Sequence, residues 1–194
     1  PGSRRTELRD LLPVFLAALR RLTPTPPALL TAAPSLGDDA VRAAIARCGA
    51  ADLDIRLLRG LDYDLVQAAD AALAASGTAT LELACLHLPM VVAYRGSFLT
   101  WVQYKIVSAG GRLRRISLPN ILSDTDAVPE RLQHAANPAT LAADLALLLA
   151  DTPARRAQLD AFARLRAHLG DGRAVENTAA LVLSVAAESR PAGG

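Results

Sequence analysis

Few folds accept a short apolar run, a small-residue turn, a helix start and a second apolar run in immediate succession, and residues 71–95 contain all four in that order. Ala71-Ala72-Leu73-Ala74-Ala75 and Pro89-Met90-Val91-Val92-Ala93-Tyr94-Arg95 read as strands. Between them, Ser76-Gly77-Thr78-Ala79-Thr80-Leu81-Glu82 reads as a turn that opens a helix. That turn puts hydroxyls and main-chain N–H groups at the positive end of a helix, where phosphate binds well. Glu82 follows Thr78 by one helical turn, so its carboxylate shares that face and can accept from neutral hydroxyls. The combination suits a nucleoside diphosphate with its ribose. Ordinary helix capping also accounts for Ser-Gly-Thr, so the stretch needs support from the rest of the chain.

The same alternation runs through the preceding residues. Leu8, Leu11, Leu12, Phe15, Leu16 and Leu19 recur at helical spacing and predict a helix over 5–22, bent or broken at Pro13. Residues 28–33 read as a strand, 37–48 as a helix opened by Asp38 and Asp39, 54–58 as a strand and 61–69 as a short helix. Helices are expected over 78–87 and 98–108, and a last strand over 114–118. Helices then follow over 128–133, 138–150, 153–169 and 173–187, and 189–194 reads as a frayed tail. Such a pattern predicts an α/β domain over 1–188, a Rossmann-like parallel sheet with helices on both faces and a helical carboxy-terminal segment. Ligands of open α/β sheets bind outside the carboxyl ends of the strands. Arg4, Arg59-Gly60-Leu61, Ser76 to Thr78, Arg95 and Asn120 all follow predicted strands or the place of one, which gathers them at one edge.

Four blocks, Pro1-Gly2-Ser3-Arg4, Ser76 to Glu82, Pro89 to Arg95 and Ser117-Leu118-Pro119-Asn120, occur in an order and spacing that resembles the carboxy-terminal, nucleotide-sugar-binding half of the lipid-A-disaccharide synthases. These are family 19 glycosyltransferases of the GT-B type. The resemblance covers nearly the whole chain, to about Leu183. It implies that Arg4 serves the nucleotide phosphates and catalysis, with Gly2 and Ser3 beside it, and that Asn120 is essential. It further implies that Ser76, Gly77, Thr78 and Glu82 hold the diphosphate and ribose, that Arg95 joins them, and that the main chain at Gly60 and Leu61 holds uracil. Transfer of a 2,3-diacylglucosamine unit from UDP-2,3-diacylglucosamine to 2,3-diacylglucosamine 1-phosphate, with release of UDP, is the implied reaction. The implied mechanism is inverting, needs no cofactor and no metal, and takes its general base from an amino-terminal half absent here.

Two departures stand out: Ile121-Leu122-Ser123-Asp124-Thr125-Asp126 replaces the family's usual continuation after Asn120, losing an arginine and a glycine, and residues 109–115 look longer than usual. Two alternatives remain open at this point. One is another GT-B transferase, resembling the peptidoglycan N-acetylglucosaminyl transferase, and the other is a non-catalytic nucleotide-binding module.

With 194 residues, 52% hydrophobic and 21% charged, the chain suits one globular domain, and a net charge of +2 argues against nucleic acid as a partner. It lacks an initiator Met and starts at what reads as the loop after a strand, so a fragment is expected. Cys48 and Cys85 read as buried reduced thiols, which fits a cytoplasmic compartment. His87, His134 and His168 read as caps or partly buried residues, and Asp124 and Asp126 as a loop and a cap instead of a Mg²⁺ site. Glu130 and Gln133 match a Pro-Glu-x-x-Gln pattern near the family site, and as helix residues they fit a structural role equally well. Phe98, Trp101 and Tyr104 share a helix face, followed by Lys105, Arg112, Arg114 and Arg115. A core stripe is the default for them. A peripheral surface on the inner face of the cytoplasmic membrane is the alternative, suited to a lipid acceptor. The resemblance leaves room for a homo-oligomer.

Overall fold

A strand with no polar side chain on either face is stable only when both faces are covered, and the segment Met90 to Ala93, every residue of it buried, meets that condition. The structure, a computed structural model, describes residues 1–2, 4–60, 62–96, 115–170 and 172–188. In chain order the elements are α1 (Arg5–Leu19), β1 (Ala28–Ala32), α2 (Asp38–Arg47), β2 (Ile55–Arg59), α3 (Tyr63–Gln67), β3 (Ala72–Ala75), α4 (Ala79–Cys85) and β4 (Met90–Tyr94). Then come α5 (Leu118–Ser123), β5 (Glu130–Leu132), a 3₁₀ turn at Gln133–Ala135, α6 (Pro138–Leu149), α7 (Pro153–Leu169) and α8 (Ala174–Glu188).

Among the described residues all strand pairs are parallel, in the order β3-β4-β5 in one ladder and β1-β2 in another. Alternation along β4 sorts its side chains between two cores. Val91 and Ala93 join Leu11, Val14 and Phe15 of α1 and Leu141, Leu145 and Leu148 of α6. Met90 and Val92 join Leu83 and Ala84 of α4 and Phe162 and Leu165 of α7. Leu8, Leu12 and Leu16, on another stripe of α1, pack with Leu30 and Ala32 of β1 and Val41 and Ala44 of α2. One helix therefore covers both ladders. The Rossmann-like arrangement read from the sequence is present, divided between two ladders among the described residues.

Gln158 of α7 is buried, and its amide is fully used: Oε1 accepts from the Met90 N–H at 2.6 Å, while Nε2 donates to the carbonyls of Met90 at 3.2 Å and Ala127 at 3.0 Å. A buried polar side chain is tolerated because every group on it has a partner.

Several expectations are corrected. The first helix ends at Leu19 instead of residue 22 and passes through Pro13 without a break. Pro13 and Arg9 are both exposed, so water can satisfy the carbonyl that loses its helical donor. Residues 128–133 are not a helix. Pro129 offers its carbonyl to the Val92 N–H at 2.9 Å and Glu130–Leu132 pairs with β4, so tertiary pairing decides a segment with little preference of its own. Arg115 and Ile116 form no strand, and Leu118 already lies in α5, which begins with Pro119 in its first turn. Cys48 and Cys85 are free and half-buried, not buried. The predicted helix over 98–108 with Phe98, Trp101, Tyr104 and Lys105 lies outside the described residues, as do Ser3, Leu61, Arg112, Arg114 and the tail 189–194. Among the described residues no helix is long and apolar enough to cross a membrane.

Candidate nucleotide-sugar site

Parallel strands point their carboxyl ends to one edge, and here that edge carries Gly60 after β2, Ser76 after β3, Arg95 after β4 and Gln133 after β5. The register carries Ser76 alongside Tyr94, the residue before Arg95: Ala75 pairs with Ala93, and the Ser76 N–H donates to the Ala93 carbonyl at 3.3 Å.

Two of the sequence blocks lock together directly. The Ser76 hydroxyl donates to the Ile116 carbonyl at 2.7 Å, and the Leu118 N–H donates to Thr80 Oγ1 at 3.3 Å. Thr80 is fully buried and its hydroxyl also donates to the Gly77 carbonyl at 2.7 Å, which holds the turn closed. Gly77 and Thr78 remain exposed at the start of α4. The Ser76 hydroxyl proton is thus committed internally, and the exposed main chain of Gly77 and Thr78 is what the turn offers to a ligand.

Beneath this lies a knot organised by Glu130. Its Oε1 accepts from the Ser117 N–H at 2.9 Å, the Ser117 hydroxyl at 2.6 Å and Asn120 Nδ2 at 2.8 Å, and its Oε2 accepts from the Ile116 N–H at 2.9 Å. Asn120 is 1% exposed. Its Nδ2 also donates to the Val128 carbonyl at 2.8 Å, and its Oδ1 accepts from the Val128 N–H at 2.9 Å. Both protons of the amide are spent inside the protein. These side-chain bonds replace the strand ladder expected at 114–118. Glu130, which the sequence reading held between two roles, is the centre of the knot.

Arg4 and Arg95 meet elsewhere on the same edge. They line a cleft of about 750 Å³ with Glu7, Asp10, Tyr94, Gln133 and His134. Arg4 precedes α1; its Nη1 lies 2.9 Å from Glu7 Oε1, and its N–H donates to Glu7 Oε2 at 3.1 Å. Gly2, at φ +112°, is required here because a Cβ would collide with the Glu7 carboxylate. Arg95 Nε donates to the Ala136 carbonyl at 3.1 Å. Gln133, at φ +50°, clasps the Gly96 main chain, accepting its N–H at 3.3 Å and donating to its carbonyl at 3.2 Å. The Arg9 guanidinium, hydrogen-bonded to Asp10, holds that carboxyl below its ordinary range. The cleft is mixed in charge with three guanidinium groups, an arrangement able to take an anion.

Gly60, at φ +68°, donates its N–H to the Ala32 carbonyl at 2.8 Å and closes the β1-β2 ladder. Beyond it, Tyr63 opens α3 and its hydroxyl donates to Glu82 Oε2 at 3.2 Å. Tyr63 escaped the sequence reading, although it opens the helix that follows a strand end, where ligand residues gather. Arg115 donates through Nε to Asp126 Oδ1 at 2.7 Å and is also paired with Asp124. Among the described residues no group of three or more metal-binding side chains occurs.

Comparison with known proteins adds a relationship to this geometry. The family model described as lipid-A-disaccharide synthetase matches residues 1–184. The lipid-A-disaccharide synthase of Anaeromyxobacter dehalogenans (strain 2CP-C) is 39% identical over 188 residues, 95% of this chain and 48% of the relative. That of Syntrophus aciditrophicus (strain SB) is 38% identical over 192 residues, 97% of this chain and 49% of the relative. The enzyme of Azoarcus sp. (strain BH72) is 37% identical over 196 residues, 98% of this chain and 49% of the relative. The chain therefore spans about half the length of these curated relatives.

Proposed function

The chain belongs to the lipid-A-disaccharide synthetase family, and from that premise we propose that it is the UDP-sugar-binding half of an inverting glycosyltransferase that forms the lipid A disaccharide. The observation that carries this reading is the family match across residues 1–184, which includes all four blocks. The collection of Gly60, Ser76, Arg95 and Gln133 at the carboxyl ends of parallel strands supports it, because open α/β sheets bind their ligands there.

In this reading the donor is UDP-2,3-diacylglucosamine and the acceptor is 2,3-diacylglucosamine 1-phosphate. The acceptor hydroxyl attacks the anomeric carbon, the bond to the diphosphate breaks and UDP leaves with the electron pair. Main-chain N–H groups at Gly77 and Thr78, with the guanidinium groups of Arg4 and Arg95, stabilise the charge that grows on the departing diphosphate. Glu82 accepts the ribose hydroxyls, and the main chain around Gly60 reads uracil. Asn120 and Ser76 act by positioning: their internal bonds hold the 116–120 segment against the phosphate turn. The base that takes the acceptor proton would come from the part of the relatives' length that this chain does not span.

Calorimetric titration of the chain with UDP should give the same affinity with and without EDTA, since arginine and main-chain N–H groups supply the positive charge. Loss of binding under chelation would refute the metal-free site, and a folded chain that binds no UDP would refute the donor-half reading. In the same assay Arg4→Ala should weaken UDP by about tenfold, the lower end for a charge-assisted hydrogen bond because Arg4 is largely exposed. An unchanged affinity would assign Arg4 to Glu7 alone.

A further inference from the structure

The loop that follows β2 and the helix that follows β3 belong to different ladders, yet one side-chain hydrogen bond joins them, from the Tyr63 hydroxyl to Glu82 Oε2 at 3.2 Å. Tyr63 is 52% exposed. Its ring is therefore not held there by a demand for burial, and an exposed hydrogen bond of this kind adds little to stability. Asp62 caps the helix that carries Tyr63, with Oδ1 accepting from the Leu65 N–H at 3.3 Å, so the phenol projects from a fixed start. Glu82 lies in the first turn of α4, beside the exposed Gly77 and Thr78.

We propose that Tyr63 is a positioning residue for the nucleoside of the bound donor, orienting the Glu82 carboxylate so that Oε2 is held by the phenol and Oε1 faces a ribose hydroxyl. The inference rests on the UDP-sugar reading above. A carboxylate accepts at both oxygens, so the bond to Tyr63 leaves acceptor capacity for the ligand while removing the side chain's freedom to turn away. Preorganising a recognition group before the ligand arrives lowers the ordering cost of binding. Glu82 pushes the Tyr63 phenol above its ordinary value of 10.0, through the hydrogen bond first and the charge second, so the hydroxyl remains a donor across the neutral range. The bond also ties the main chain after Gly60, proposed to read the base, to the helix proposed to meet ribose and phosphate. Recognition of the base and recognition of the sugar become one unit.

The test is calorimetric titration of the wild-type chain, Tyr63→Phe, Glu82→Ala and the double variant with UDP and with 2′-deoxy- and 3′-deoxy-UDP, alongside thermal melts. Tyr63→Phe is expected to weaken UDP by about 3- to 10-fold, the net range for a typical hydrogen bond and below that for a charged one because the phenol acts through Glu82, with the melting temperature unchanged. In the Glu82→Ala background the same substitution should cost nothing further, and its effect should shrink against the deoxy ligand that lacks the hydroxyl Glu82 accepts. If UDP binding is weakened by Glu82→Ala and untouched by Tyr63→Phe, or if the two losses simply add, the positioning role is overturned while the nucleotide reading survives. Wild-type chain that is folded and binds no UDP would overturn that reading and this inference together.

Discussion

Replacing Glu130 by alanine should lower the unfolding free energy by about 3–5 kcal/mol, because hydrogen bonds to a charged group are worth about 1.5–3 kcal/mol each and a buried donor left unmade costs further. Four donors lose their acceptor at once: the N–H groups of Ile116 and Ser117, the Ser117 hydroxyl and Asn120 Nδ2. Ser117 and Asn120 are among the buried polar residues, so water cannot reach all of these groups without opening the segment. Glu130→Gln keeps the shape and one carbonyl oxygen but turns an amide towards N–H groups, so its loss should be intermediate. Urea unfolding followed by far-ultraviolet circular dichroism measures both. A loss below about 1 kcal/mol for the alanine variant would mean that solvent substitutes for the carboxylate and that the knot is not a unit. UDP affinity should fall together with stability, since Ser76 and Thr80 are bonded to the same segment.

Asn120→Asp attacks the knot by charge while keeping its volume. The new oxygen would lie where Nδ2 now sits, 2.8 Å from Glu130 Oε1, so two carboxylates would share a buried site. Both cannot ionise cheaply there, and the introduced Asp would titrate above its ordinary range of about 4 in the folded state. A carboxyl whose folded value is raised leaves stability intact below its unfolded value and erodes it as pH rises through the folded value. The variant should therefore be least impaired near pH 4.5 and should lose about 3 kcal/mol or more by pH 7.5, in the range for an uncompensated buried charge. Melts of wild type and variant across that interval would show it. A constant deficit at every pH would mean that the Asp is reached by water. Asn120→Ala should reduce UDP affinity only together with stability. Reduced affinity at wild-type stability would instead put the amide on the ligand.

Much of the architecture was legible because it is written in local pattern. The strands β1 to β4 and the helices between them follow from short apolar runs, capping residues and turn residues, and each lies within a few residues of its expected place. Segment 128–133 was misread for a physical reason. β5 is three residues long, and its state is set by β4, nearly forty positions earlier, so no periodicity marks it. The strand expected at 114–118 failed for a related reason: a side chain at 130 satisfies main-chain donors at 116 and 117, which no reading of the segment alone can reveal. The site divides in the same way. Residues of one turn, Ser76 to Glu82, could be read together, whereas the pairing of Tyr63 with Glu82 and of Arg4 and Arg95 in one cleft depends on how separate elements dock.

The division of the strands into two ladders governs more than the placing of the site. Among the described residues β1 pairs with β2 and β3 with β4, and each of β1 and β3 keeps a second edge under or beside α1. α1 is the element they share, one stripe of it packed on each, so a substitution that loosens this helix would weaken both ladders at once instead of one alone.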